Sequence, residues 1–142
     1  MKALKIILII VLILVVAVVI AHLIAPKEVT VERSVTIDAP KDVVFENILF
    51  FKNTQKWSPW KDYDPDMKTE IEGTDGTIGA VYKWEGNEDV GKGKQEITKI
   101  EEFKLVETKL TFIEPFESVS TSYLKMSEEN DSIKVTWGMY EE

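Results

Sequence analysis

The sequence predicts an α+β protein: an antiparallel sheet with two short helices, preceded by one transmembrane helix. Three observations predict it. An uninterrupted apolar run fills Ile6 to Ala25. One alternating strand pattern and two short helical patterns come next. From Lys68 onward, six strand-like runs succeed one another with turn formers between them.

The apolar run, IILIIVLILVVAVVIAHLIA, is 20 residues long, and only His22 in it is polar. At about 1.5 Å of rise per residue it spans about 30 Å, the thickness of a bilayer's hydrocarbon core. A helix buried in a soluble domain would show a polar face at helical spacing, and none precedes His22. The expected division is therefore an anchor over residues 1–26 and one domain over residues 27–142. Lys2 and Lys5 precede the span, whereas Lys27 beyond it stands next to Glu28. The positive-inside tendency then gives a single-pass membrane protein with a cytoplasmic N-terminus and an extracytoplasmic domain. A cleaved signal peptide is the rival, with Val19-Ile20-Ala21 before the cut, but the apolar core exceeds the roughly 7 to 15 residues of a usual signal core. Without a cysteine near the span, the chain is not a bacterial lipoprotein.

The chain of 142 residues carries a formal charge of −8, which becomes −10 once Lys2 and Lys5 are assigned to the anchor. Nucleic acid is excluded as a natural partner for so acidic a domain. Such a domain should also stand off from anionic headgroups. The absence of cysteine removes disulfides, thiolate metal sites and cysteine nucleophiles together.

Val29 to Ile37 alternates apolar and polar residues, with Arg33 the exception, and reads as a half-buried strand. Asp38-Ala-Pro40 starts a helix that runs to Leu49, with Val43, Val44, Ile48 and Leu49 as its inner side. A second helical piece, Phe50 to Lys56, ends before Trp57-Ser-Pro59-Trp60. The strands that follow are read as Lys68–Glu72, Ile78–Glu85, Lys94–Glu101, Leu105–Phe112, Ser118–Met126 and Ser132–Tyr140. Gly73 to Gly76, Gly86-Asn87, Gly91 to Gly93, Glu114-Pro115 and Glu129 to Asp131 supply the turns. Parity puts Ala80, Tyr82 and Trp84 on one face. It does the same for Val106, Thr108, Leu110 and Phe112, for Ser122, Leu124 and Met126, and for Ile133, Val135, Trp137 and Met139. The resulting inner surface is apolar and aromatic.

This order, with Arg33-Ser-Val-Thr-Ile-Asp38-Ala-Pro40, Trp57-Ser-Pro59-Trp60, Gly79-Ala-Val-Tyr-Lys-Trp84-Glu-Gly86-Asn87 and Lys134-Val-Thr-Trp137-Gly-Met139, resembles the START/Bet v 1-like (SRPBCC) superfamily. The branch it is most similar to is that of polyketide cyclases/dehydrases and lipid transport. The resemblance implies a helix-grip fold, in which a curved seven-stranded sheet wraps a long C-terminal helix around a cavity. It leaves function open, since members bind, carry or transform different hydrophobic molecules. The chain departs from the pattern in ending at Tyr140-Glu-Glu142, after the seventh strand, so no residues remain for the long C-terminal helix. The expectation is a piece of a longer protein, or cover supplied by another chain. With the concave face open, the 142 residues alone are expected to be marginally stable or to associate.

The expected ligand-binding wall is Trp57, Trp60, Tyr82, Trp84, Leu110, Phe112, Leu124, Trp137 and Met139, with the Tyr82 hydroxyl and the indole nitrogens as polar handles. The same rings could simply fill the core. Asp62, Asp64 and Asp66 alternate like calcium ligands, but Met67 and Gly73 stand where an EF-hand needs glycine and glutamate, so a solvated turn is the better account. No metal or other cofactor is expected. His22 is the single histidine, and it lies in the span, so no hydroxyl nucleophile in the domain has an imidazole base. Glu46, Glu70, Glu96 and Glu107 are the carboxylates nearest the sheet, and all read as surface charges. The leading expectation is a membrane-tethered binder or carrier of a hydrophobic small molecule or lipid. Its alternatives are a cyclase-like enzyme using carboxylate or tyrosine acid/base chemistry, and a protein-interaction domain without a ligand.

Overall fold

A computed structural model describes residues 2–24 and 30–141. The first element is a continuous helix, α1 (Lys2–Ile24), of 23 residues. Its backbone spans about 35 Å. Its side chains are described at Ile7 and from Ile9 to Ile20, and all of these are exposed. Among the described residues, no helix is long and apolar enough to cross a membrane. The expected end of the anchor at Pro26-Lys27 and the start of the first strand at Val29 lie outside the described residues.

The domain then folds as β1 (Thr30–Ile37), α2 (Lys41–Leu49), α3 (Phe51–Trp57), α4 (Trp60–Tyr63), β2 (Lys68–Glu72), β3 (Val81–Glu85), β4 (Lys92–Glu101), β5 (Leu105–Glu114), β6 (Ser118–Glu129) and β7 (Ser132–Glu141). The seven strands form one antiparallel sheet in the order β1-β7-β6-β5-β4-β3-β2. Strands β2 to β7 are a meander, because each turn between them is too short for anything but a hairpin. The helices separate β1 from β2 in sequence and leave these two strands as the two edges.

One face of the sheet holds the core. Val44, Phe45 and Ile48 of α2 pack on Val106, Met126, Ile133 and Val135, and Phe51 of α3 packs with Ala80 and Ile97. Val106, Met126, Ile133 and Val135 have the inward parity expected from the alternation. The helix stripe differs from the expectation. Phe45 is buried, whereas Val43 is 46% exposed. Val44 and Ile48 are four apart and Phe45 and Ile48 three apart, so they form the stripe, while Val43 shares a side with Glu46 and Asn47. Two further differences have local causes. β3 begins at Val81, because Ile78 lies in the preceding loop and the chain joins the ladder only where Gly79 N–H donates to the Ile97 carbonyl at 2.8 Å. Pro59 breaks one helix and opens another, α4, since its fixed φ suits a first turn.

Two glycines let large rings cross the sheet surface, one on each face. On the helix-covered face, a Cβ at Gly93 would come within 2.3 Å of the Trp84 ring. On the outer face, a Cβ at Gly138 would come within 2.2 Å of the Tyr123 ring. Tyr123 of β6 lies opposite Gly138 of β7, which lies opposite Glu32 of β1. The phenol reaches over the glycine and donates a hydrogen bond to the Glu32 carboxylate. That bond fastens edge strand β1 to the sheet interior, where backbone pairing to β7 is otherwise its main hold.

Candidate functional site

The helix-covered face carries a continuous run of aromatic rings. Phe51 stacks on Tyr82 at 5.6 Å, Tyr82 on Trp84 at 6.2 Å, and Trp84 meets the Phe112 edge at 5.9 Å. Register explains the run: Trp84, Gly93 and Phe112 occupy one row across β3, β4 and β5, and Tyr82, Gln95 and Leu110 occupy the next. Leu124 lies between Val106 and Trp137 in a third row, and Met139 lies between Ser122 and Val31 in a fourth. The sheet therefore brings Tyr82, Trp84, Leu110, Phe112, Leu124, Trp137 and Met139 to one face. It does not bring Trp57 and Trp60 into that group. The Trp57 indole donates to the Asn47 carbonyl at 3.1 Å, and Trp60, 52% exposed, packs on Tyr63 at 5.9 Å.

A polar strip crosses the middle of this face; the alternation places its Thr108 and Ser122 there, and Gln95 and Ser120 join them. Gln95 Nε2 donates to Thr108 Oγ1 at 2.8 Å, and the Thr108 hydroxyl donates to the Ser122 carbonyl at 3.3 Å. Thr108, Ser120 and Ser122 are buried. The signal for Gln95 and Ser120 was present in the same parity, which assigns both inward. Arg33 shares this face opposite Trp137, which explains why it broke the alternation of the first strand.

The Tyr82 hydroxyl and the Trp84 indole nitrogen make no hydrogen bond to another described residue. Burial pushes the Tyr82 phenol above its ordinary range, so it remains a neutral donor. Toward β1 the face is open, with Trp137 37% exposed and Val31 and Val35 also exposed. The enclosed cavity that the resemblance implies is therefore replaced here by an open trough. Two depressions, of about 500 and 370 Å³, border the aromatic run at Trp84 and Phe112. The larger is lined by Trp84 and Ile113 together with the charged Lys68, Glu70, Lys83, Glu85, Lys92 and Lys94.

The aspartate series is a structural turn. Asp64 accepts from the Asp66 amide at 3.1 Å and from the Asn87 amide at 2.7 Å, tying the chain before β2 to the turn after β3. Among the described residues, no group of three or more metal-ligating side chains is placed to hold an ion. Glu70 lies opposite Lys83 and Glu96 opposite Lys109 on the outer face, where Glu107 accepts from Thr98.

No family model matches the chain, and no curated protein matches it. Solved structures do. Ara h 8.0201 superposes with a TM-score of 0.59 at 16% identity, over 80% of this chain and 76% of that one. The Mll3558 protein from Rhizobium loti gives 0.59 at 16%, over 80% and 78%. Major latex-like protein 151 from Panax ginseng gives 0.55 at 18%, over 82% and 80%. At these identities the likeness defines the fold. The domain is a Bet v 1-like fold: a curved seven-stranded antiparallel sheet with short helices packed on its inner face.

Proposed function

We propose that the domain binds a hydrophobic small molecule or lipid in the trough of its sheet, and that α1 tethers it to a membrane. The observation that carries the first part is the aromatic run from Phe51 to Phe112, which continues through Leu110 and Leu124 toward the exposed Trp137. It presents apolar surface together with two unpartnered donors, Tyr82 and Trp84, that can orient a ligand. Affinity comes from apolar burial at about 25 cal/mol per Å² before ordering costs. The Bet v 1-like fold supports this reading, because the resemblance implies a ligand space between sheet and helix. The tether rests on the apolar sequence from Ile6 to Ala25 and on the 23 helical residues that contain most of it. In this reading the N-terminus is cytoplasmic and the domain extracytoplasmic.

The test uses the chain from Lys27 onward, purified without detergent, shown to be folded by near-ultraviolet circular dichroism, and extracted into organic solvent for mass spectrometry. A stoichiometric lipid or isoprenoid is expected. A folded protein that comes out empty and takes up none of a panel of lipids would overturn the binding reading.

A further inference from the structure

The turns at one end of the sheet carry aromatic side chains that nothing in the fold covers. Phe116, between β5 and β6, is 81% exposed, and Tyr63 of α4 is 60% exposed beside Trp60. These turns form one continuous rim. The Asn87 side chain, in the turn after β3, donates to the Tyr63 carbonyl at 3.0 Å. In the same turn Gly91 abuts the Glu114 carbonyl and the Pro115 ring so closely that a Cβ there would come within 2.3 Å of that oxygen.

Topology puts this rim at the end of the sheet from which β1 starts. Thr30 lies opposite Tyr140, and Tyr140 lies opposite Thr121 of β6. From Thr121 the chain runs back five residues to Phe116. The hairpin tip therefore projects beyond the start of β1 by at most about 17 Å, the extended length of five residues at about 3.4 Å each. The six links from Ile24 to Thr30 can reach at most about 20 Å. The projection of the tip lies within the reach of the connection to α1.

Resting on the reading of α1 as a membrane tether, we infer that this rim is a lipid-contacting edge, with Phe116, Trp60 and Tyr63 seated at the headgroup level of the bilayer that holds α1. The indole of Trp60 and the phenol of Tyr63, apolar rings with a polar end, favour that depth, and the exposed Phe116 ring adds apolar surface beside them. A projection within that reach lets the rim arrive there. Asp62, Glu88, Asp89 and Glu117 lie on the same turns, so the surface it fits is zwitterionic, and anionic headgroups oppose it. The opposite end of the sheet has the turns at Glu102 and Asn130, where the one aromatic, Phe103, is 36% exposed and is held against Phe45 at 5.1 Å, with Ile78 an exposed apolar residue nearby.

The chain has no cysteine, so a single one can be labelled cleanly. The full chain carrying E117C or E102C, labelled with an environment-sensitive fluorophore, is reconstituted into phosphatidylcholine vesicles containing doxyl-labelled lipid, and co-flotation is scored on the same samples. Expected are flotation of both variants, quenching of the E117C label several-fold stronger than that of the E102C label, and loss of at least half of this excess when F116S is added. Flotation with equal quenching at the two ends overturns the lipid-contacting edge and leaves the tether standing. Failure of the full chain to float overturns the tether reading and this inference with it.

Discussion

Trp84 lies directly over Gly93, on the neighbouring strand. A Cβ at Gly93 would fall 2.3 Å from the Trp84 ring and 2.6 Å from the Thr111 carbonyl. The carbonyl belongs to a paired strand and cannot retreat, so the ring must. Gly93→Ala should therefore push Trp84 off Phe112 and disturb its stacking on Tyr82. The expected cost is about 1 to 3 kcal/mol, as for other overpacked sites. Urea unfolding followed by tryptophan fluorescence checks both the stability and the ring environment. An unchanged midpoint with unchanged emission would show that Trp84 does not depend on the slot.

How far the sequence reveals this molecule can be judged from particular residues. Strand parity is legible because its period is two, so Tyr82, Trp84, Leu124 and Met139 fall on the expected face. Lys68–Glu72 has the expected bounds because Gly73 and the polar turn before Lys68 punctuate it on both sides. The short helix α2 is less legible, since in nine residues a stripe can be drawn through Val43 or through Phe45, and only the packing against Val106 and Met126 decides. Tyr123 was hidden for another reason. Its parity sends it to the outer face, which reads as solvated, yet it is buried there. Gly138 in the middle of a strand was the available signal, because such a glycine often marks a close approach. That Trp57 and Trp60 would turn away from the trough was not legible, since helix rotation fixes where they point.

The bond from Tyr123 to Glu32 should give the protein an alkaline transition of its own. Hydrogen bonding to Glu32 first, and burial second, push the Tyr123 phenol from its ordinary 10.0 up to about 12. The folded state thus holds this proton more tightly than the unfolded chain does. Its contribution is complete below pH 10 and is lost as pH rises through about 12. Tyrosinate absorbance should show Tyr123 titrating late in addition to the raised Tyr82, and Tyr123→Phe should remove the component at about 12 and leave that of Tyr82. The variant should also lose about 1.5 to 3 kcal/mol, the worth of a hydrogen bond to a charged group. A component at about 12 that persists in Tyr123→Phe would assign it to another tyrosine.

Asp75 caps a helix from outside. From the loop between β2 and β3, its Oδ1 accepts from the Phe51 amide at 2.8 Å and its Oδ2 from the Lys52 amide at 3.1 Å. These amides open α3, where no local side chain caps the helix. Asp75→Ala should cost about 1 to 2 kcal/mol, at the upper range for an N-cap because two donors are left at once. Asp75→Asn retains one oxygen and should recover part of the loss. Equal stability of the Ala and Asn variants in urea would mean that the second bond contributes nothing.

Trp137 and Trp84 separate binding from folding. Both point to the trough, but Trp137 is 37% exposed, opposite Leu124 and Arg33, while Trp84 is wedged between Tyr82 and Phe112. Removing a ring that is partly in water forfeits less burial than removing an enclosed one, so Trp137→Ala should cost about 2 kcal/mol. Trp84→Ala, which also breaks the ring run, should cost about 3 kcal/mol. If the trough takes up a hydrophobic ligand, Trp137→Ala should weaken retention of the co-purified lipid several-fold in a protein that remains folded. If these rings serve only as core, ligand retention in Trp137→Ala will equal that of the unaltered chain. Loss of retention in Trp84→Ala alone would then follow from its lower stability, so it is the exposed ring that discriminates.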